Sequence, residues 1–133
     1  DIDIDIGNYG FIPEDIIPQA ELRLSIYKEI SSIKENKKLK QHKKDFIDRF
    51  GNLTSEITNL YELSKLKNIS RKLSILSIKY RDENFSLKLA DNSRLIPSSS
   101  EIRDIKVSAK DIKSDRLTFI MSKLESFLDK NEI

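Results

Sequence analysis

The sequence predicts an α+β domain with a helical layer first and a small antiparallel sheet after it. Three observations carry this. Between Gln19 and Leu73 the apolar residues recur at three- and four-residue steps. Between Ile75 and Leu89 they alternate with polar ones. A single length of 133 residues fits one core, and elements so ordered bury their apolar faces in layers.

Residues 1 to 6 alternate strictly, Asp1-Ile2-Asp3-Ile4-Asp5-Ile6. That puts three isoleucines on one face of a strand and three carboxylates on the other, so it reads as a half-buried edge or a strand borrowed from a preceding domain. Gly7 and Gly10 break the pattern, and Pro13 and Pro18 disfavour helix before them, so 7–18 is expected to cross the domain in an extended form. Its Phe11, Ile12, Ile16 and Ile17 need cover and are expected to lie against the domain.

The first helix is predicted from Gln19 to about Asn36, with Leu22, Ile26, Ile30 and Ile33 on one stripe and Tyr27 beside them. A second runs from about Lys37 to Phe50 with Leu39, Phe46, Ile47 and Phe50 apolar, and Gly51 stands where a left-handed cap is wanted. A third starts near Thr54 or Ser55, carries Glu56 in its first turn, and continues through Ile57, Leu60, Tyr61, Leu66, Ile69 and Leu73. Ile75–Tyr80 and Phe85–Leu89 then form a hairpin around Arg81-Asp82-Glu83-Asn84. Pro97 and Ser98 to Ser100 mark a turn, and Ile105, Val107 and Ala109 a weaker third strand. Arg116 to Met121 reads either as a fourth strand, since Leu117, Phe119 and Met121 alternate, or as the head of the last helix, since Leu124, Phe127 and Leu128 continue at helical spacing; strand then helix is favoured. The organisation expected is one domain over 1–133: a crossing segment (1–18), a helical layer (19–73), and a sheet with its terminal helix (74–133).

Most chemistry is excluded by what the chain lacks. With no cysteine there is no disulfide framework and no thiolate zinc site. Three glycines, none near a Lys-Ser or Lys-Thr pair after a strand, leave no phosphate-cradling P-loop. The one histidine, His42, sits among Lys40, Lys43 and Lys44, whose ammonium groups repel a metal cation, and it is read as solvated helix surface. No serine has a histidine in motif context, so a hydrolytic triad has no support. Asp1, Asp3 and Asp5 lack the glycine and terminal glutamate of a calcium loop and read as a charged edge strand. No catalytic residue, metal or cofactor is therefore expected in this chain. No apolar run reaches the roughly 20 residues of a membrane span.

The charge is nearly balanced, 24 basic against 22 acidic residues, so any electrostatic recognition is local. The basic run Lys34, Lys37, Lys38, Lys40, Lys43 and Lys44, opposed only by Glu35, could touch nucleic-acid phosphates. It has no interleaved aromatic residues to stack bases, so a solvated helix end is the plainer reading.

Three patterns in fixed order go further: Ile12-Pro13-Glu14-Asp15-Ile16-Ile17-Pro18, Arg23-Leu24-Ser25-Ile26-Tyr27-Lys28, and Ile47-Asp48-Arg49-Phe50-Gly51. With Arg71-Lys72-Leu73-Ser74-Ile75 closing the third helix, this order resembles the C-terminal domain of bacterial transcription-repair coupling factors (Mfd), over about half the chain. Ile16 replaces the family's usual aromatic, Asn52 and Thr54 stand where it often has prolines, and Ser74 replaces a glycine. Arg49 and Asp48 are expected to pair with neighbours at the corner marked by Phe50 and Gly51, and Tyr27 to bury its ring with its hydroxyl at the rim.

The resemblance implies a non-catalytic regulatory domain, cut from a longer cytoplasmic bacterial protein. The parent would be an ATP-driven duplex-DNA translocase, with ATP and magnesium in its motor domains, that binds stalled RNA polymerase and recruits UvrA in transcription-coupled excision repair. The domain would dock on the parent's UvrB-homology module and mask its UvrA-binding surface. Asp45 is the first candidate for that contact, with Asp48 and Arg49 beside it. The alternative is a nucleic-acid-binding accessory domain using Lys37, Lys38, Lys40, Lys43 and Lys44. No membrane and no small-molecule substrate are implied.

Overall fold

Strict alternation in the first six residues becomes a three-residue strand, β1 (Asp3–Asp5), in a computed structural model that describes residues 1–7, 9–51, 53–97 and 99–133. The readings placed on Asn52 and Ser98, and the part of the crossing segment at Asn8, lie outside the described residues. After the crossing segment come α1 (Ala20–Ser32), α2 (Asn36–Phe50) and α3 (Ser55–Lys72). The sheet strands β2 (Ile75–Arg81), β3 (Asn84–Leu89) and β4 (Asp104–Ser108) follow, then α4 (Arg116–Glu125) and a 3-10 turn (Lys130–Glu132). The α+β class stands.

Two compact units make up the chain, Tyr9–Asn68 and Asp1–Asn8 with Ile69–Ile133. The first is helical. Its core is Ile12, Ile17, Ile26, Ile30, Leu39, Phe46, Ile57 and Tyr61, all buried. The crossing segment is part of it: the Phe11 amide donates to the Glu56 carbonyl, 3.2 Å, and the Ile12 amide to the Tyr27 hydroxyl, 2.7 Å. Arg23 ties the segment to α1, its Nη1 donating to the carbonyls of Ile17 and Pro18 at 2.8 and 3.0 Å. Gly10 permits the close approach, since a Cβ there would stand 2.4 Å from the Leu60 backbone. Phe11 departs from expectation. Its amide makes the contact, and the residue is 46% exposed.

Helix α1 stops four residues before the predicted end. Ser31 and Ser32 donate to the Lys28 and Glu29 carbonyls at 3.0 and 2.7 Å, and Ile33 is already extended. Such serines compete for the carbonyls a further turn would use. Helix α2 ends on Gly51, whose amide reaches the Ile47 carbonyl at 2.8 Å. Gly51 has φ +93° but ψ −153°, so glycine is needed there, though not for the left-handed helical cap that was expected. Ile47 also departs from the apolar stripe and is partly exposed. Helix α3 begins as predicted, with the Thr54 hydroxyl accepting from the Ile57 amide at 3.2 Å. Glu56 in its first turn is held below the usual carboxylate range, chiefly by its own backbone amide and then by Thr54.

The second unit carries a four-stranded sheet in the order β1-β2-β3-β4. The hairpin β2-β3 and the pair β3-β4 are antiparallel, but β1 joins β2 in parallel, so the sheet is mixed where an antiparallel one was predicted. Parallel pairing needs a long crossover, and residues 9–68 supply one. Asp82 and Glu83 both have positive φ, +50° and +61°, as a two-residue turn of the primed kind requires. Ser74, before β2, has φ +55°.

The predicted fourth strand is instead the start of α4. Leu117, Ile120, Met121 and Leu124 are buried at helical spacing. Asp115 caps the helix, accepting from the Thr118 amide at 2.9 Å and its hydroxyl at 2.8 Å. These bonds, the amide first, pull the Asp115 carboxyl below its usual range.

Candidate groove between two helices

A groove of about 200 Å³ lies between α1 and α2, lined by Ile26, Glu29, His42, Asp45, Phe46, Arg49 and Phe50. Its composition follows from helical spacing. Ile26 and Glu29 are one turn apart on α1. His42, Asp45, Phe46, Arg49 and Phe50 fall at i, i+3, i+4, i+7 and i+8 on α2, one stripe of that helix. Phe46 and Phe50 pack with ring centroids 4.8 Å apart and form an apolar floor. The rim is charged.

Each rim carboxylate is tied through one oxygen to a side chain beside it. Asp45 Oδ1 accepts from the Gln41 amide at 2.9 Å, and Glu29 Oε2 meets His42 Nε2 at 3.1 Å. On its other side, His42 Nδ1 lies 2.8 Å from the Tyr61 hydroxyl. Tyr61 is buried, and burial first, then the charges of Glu29 and Asp45, pushes its phenol far above the usual range. The hydroxyl therefore keeps its proton, and because the Glu29 carboxylate can only accept, a neutral imidazole donates to it through Nε2–H and takes the Tyr61 hydrogen bond at Nδ1. His42 is half-buried, with 22% of its side chain exposed, and it belongs to this relay instead of the solvated surface predicted for it. The signal was present in the sequence: His42 lies three residues after Leu39 and four before Phe46, on the buried stripe.

Of the candidate contact residues, Asp45 and Arg49 line the groove and Asp48 does not. All three are exposed. Asp48 and Arg49 form no ion pair among the described residues; Arg49 rests its guanidinium 4.8 Å from the centre of the Phe50 ring. The lysine run is not one surface. Lys37 and Lys44 share a stripe with Asp48, while Lys38 lies on the flank of Asp45 and pairs with Glu35 at 3.6 Å. Lys40 is exposed and Lys43 half-buried. Among the described residues no group of three His, Asp or Glu side chains is placed to hold a metal ion. Asp1, Asp3 and Asp5 face Arg71, Lys79 and Arg81 at 3.8, 3.7 and 3.6 Å. No described helix is long and apolar enough to cross a membrane.

Residues 8–100 match the family described as TRCF domain. The transcription-repair-coupling factor of Rickettsia bellii (strain RML369-C) is 27% identical over 121 residues, 91% of this chain and 11% of that protein. The transcription-repair-coupling factor of Rickettsia conorii (strain ATCC VR-613 / Malish 7) is 29% identical over 130 residues, 98% and 11%. That of Escherichia coli (strain K12) is 28% identical over 96 residues, 72% and 8%. The chain thus spans about a tenth of the length of these relatives. A crystal structure of the C-terminal domain of transcription-repair coupling factor shares the fold, with a TM-score of 0.74 at 14% identity, covering 96% of this chain and 97% of that one.

Proposed function

The chain belongs to the TRCF domain family, and on that premise we propose that it is a non-catalytic regulatory domain that docks on the UvrB-homology module of its parent. Docking masks the module's UvrA-binding surface and holds an ATP-dependent duplex-DNA translocase inhibited until it engages stalled RNA polymerase, in the bacterial cytoplasm. ATP and magnesium serve the motor domains, not this one.

The observation that supports docking best is the α1-α2 groove. It has an apolar floor of Ile26, Phe46 and Phe50 and a rim of Glu29, Asp45 and Arg49. An interface that must open during a work cycle is modest in area and polar at its rim. Asp45 stands at that rim with Oδ2 open among the described residues, fit to meet a cationic side chain of the module. The lysines support nucleic-acid binding less, because α2 distributes them around its circumference.

Calorimetric titration of this domain with the separately expressed UvrB-homology module tests the reading. Saturable binding is expected, weakened about tenfold or more by Asp45→Lys. Asp48→Lys, outside the groove, is expected to weaken it less. In the full-length parent Asp45→Lys is expected to raise UvrA binding. Module binding that is indifferent to Asp45→Lys, or duplex-DNA binding with a steep salt dependence in place of module binding, would displace the docking reading.

A further inference from the structure

The two rim carboxylates share a construction. Glu29 spends Oε2 on His42 and Asp45 spends Oδ1 on Gln41, so each is oriented by a neighbouring side chain while its second oxygen meets no partner among the described residues. A carboxylate has about four acceptor positions, and one bond of this kind fixes its direction without neutralising it. Both line the same groove above the same apolar floor. An incoming side chain that suits this arrangement has an apolar stem and a cationic head that can donate to two carboxylates at once, as a guanidinium does. Arg49 rests over the Phe50 ring and forms no ion pair with either carboxylate among the described residues.

We propose that Glu29 is a second recognition residue of the groove, acting with Asp45 on one cationic side chain of the partner, and that His42 is the positioning residue that presents it. This rests on the docking reading above and extends it to residues on α1 and α3. His42 can do so because its tautomer is fixed from behind. The buried Tyr61 hydroxyl needs an acceptor, and Nδ1 supplies it. The proton on Nε2 is then aimed at Glu29. The charged and titratable groups that line the groove with the imidazole are Glu29 from α1 and Asp45 and Arg49 along α2, with Tyr61 from α3 behind it; Lys40, Lys43 and Lys44 flank it along α2, and Lys38, one turn back, faces Glu35.

A consequence separates this role from a merely structural one. Histidine side chains change charge between about pH 5 and 8. An imidazolium on His42 would place a positive charge 3.1 Å from Glu29, turning the neutral donor into a competitor for the carboxylate meant for the partner. Wherever that imidazolium forms docking is expected to weaken, and comparing pH 8 with pH 6 reads whether the loss runs through His42.

The test uses this chain and the UvrB-homology module, titrated at both pH values with the wild type, Glu29→Gln and His42→Gln. Glu29→Gln is expected to weaken docking about 3- to 10-fold at pH 8 and to remove most of the pH dependence. His42→Gln keeps a neutral donor, so it is expected to retain most of the pH 8 affinity and lose the dependence. Because Glu29 is exposed, its variant is expected to melt with the wild type. His42 is the only histidine, so its imidazole nitrogen signals report the tautomer without assignment, and Nε2–H is expected. Docking unchanged by Glu29→Gln, a pH dependence that survives His42→Gln, or an Nδ1–H tautomer would each overturn the proposal and leave docking itself standing. Failure of the wild type to bind the module, free or tethered, would overturn both.

Discussion

The groove and the sheet unit hold several of their acidic groups differently. In the sheet unit acidic groups meet opposite charges: Asp3 with Lys79, Asp5 with Arg81, Asp91 with Arg103, and Glu132 with Arg94. In the helical unit the groove carboxylates Glu29 and Asp45 are held by an imidazole and an amide. Charges that cancel within the fold contribute to edge protection and register. Those oriented by uncharged donors keep their field for something outside. On the docking proposal, this difference is a better guide to the surface than net charge is, since the whole chain carries only +2.

The sharpest way to break the comparison is to remove the floor and keep the rim. Phe46 is buried in the helical core and stands under the groove. Phe46→Ala is expected to destabilise the domain by about 3–5 kcal/mol, measured by denaturant unfolding. It would take docking with it, because Asp45 and Arg49 of the rim share its helix. A loss below about 1 kcal/mol would mean that the floor is not core, and the groove would then have no rigid base.

A smaller effect of opposite sign is expected in the sheet unit. Ser74 holds φ +55° between α3 and β2, at the position where the resemblance places a glycine. A side chain in that left-handed region costs about 1 kcal/mol or somewhat more. Its carbonyl accepts from the Ala90 amide at 2.9 Å, so the fold holds the strained conformation in place. Ser74→Gly is expected to stabilise by about 1 kcal/mol, read as a shift in unfolding midpoint at unchanged slope, and to leave docking alone. Destabilisation would show that the serine side chain earns its place through contacts of its own.

How far the sequence shows these things depends on the range of the interactions involved. The three helices and the hairpin were legible because each rests on local periodicity and local turn chemistry, as with Thr54 at the start of α3 and Asp82-Glu83 between β2 and β3. The parallel pairing of β1 was not. It joins residues more than seventy positions apart, and an alternating edge strand looks the same in either direction. Leu117, Phe119 and Met121 misled because period two and period 3.6 agree over so short a run. Asp115 three residues before Thr118 was the cap signal that resolves it. In the groove, Asp45 and Arg49 were named from the motif, whereas Glu29 and His42 depend on how α1 meets α2, and the lysines beside His42 drew attention away from the buried stripe it sits on.

The smallest effect sharpens the comparison most. Asp5 and Arg81 lie 3.6 Å apart with 53% and 70% of their side chains exposed. Such a pair contributes about 0.2–1 kcal/mol and is screened by salt. A double-mutant cycle on Asp5→Asn and Arg81→Gln is expected to return a coupling in that range at low salt, shrinking in molar salt. The matching change in the helical unit, Asp45→Asn, is expected to leave stability within about 0.5 kcal/mol of the wild type, because the Gln41 amide can still donate to the remaining carbonyl oxygen. Its cost would appear only when the partner is added. If instead Asp45→Asn destabilised the isolated domain as much as Asp5→Asn, the groove carboxylate would be serving the fold, and the distinction between charges spent inside and charges kept for a partner would fail at the residue on which it depends.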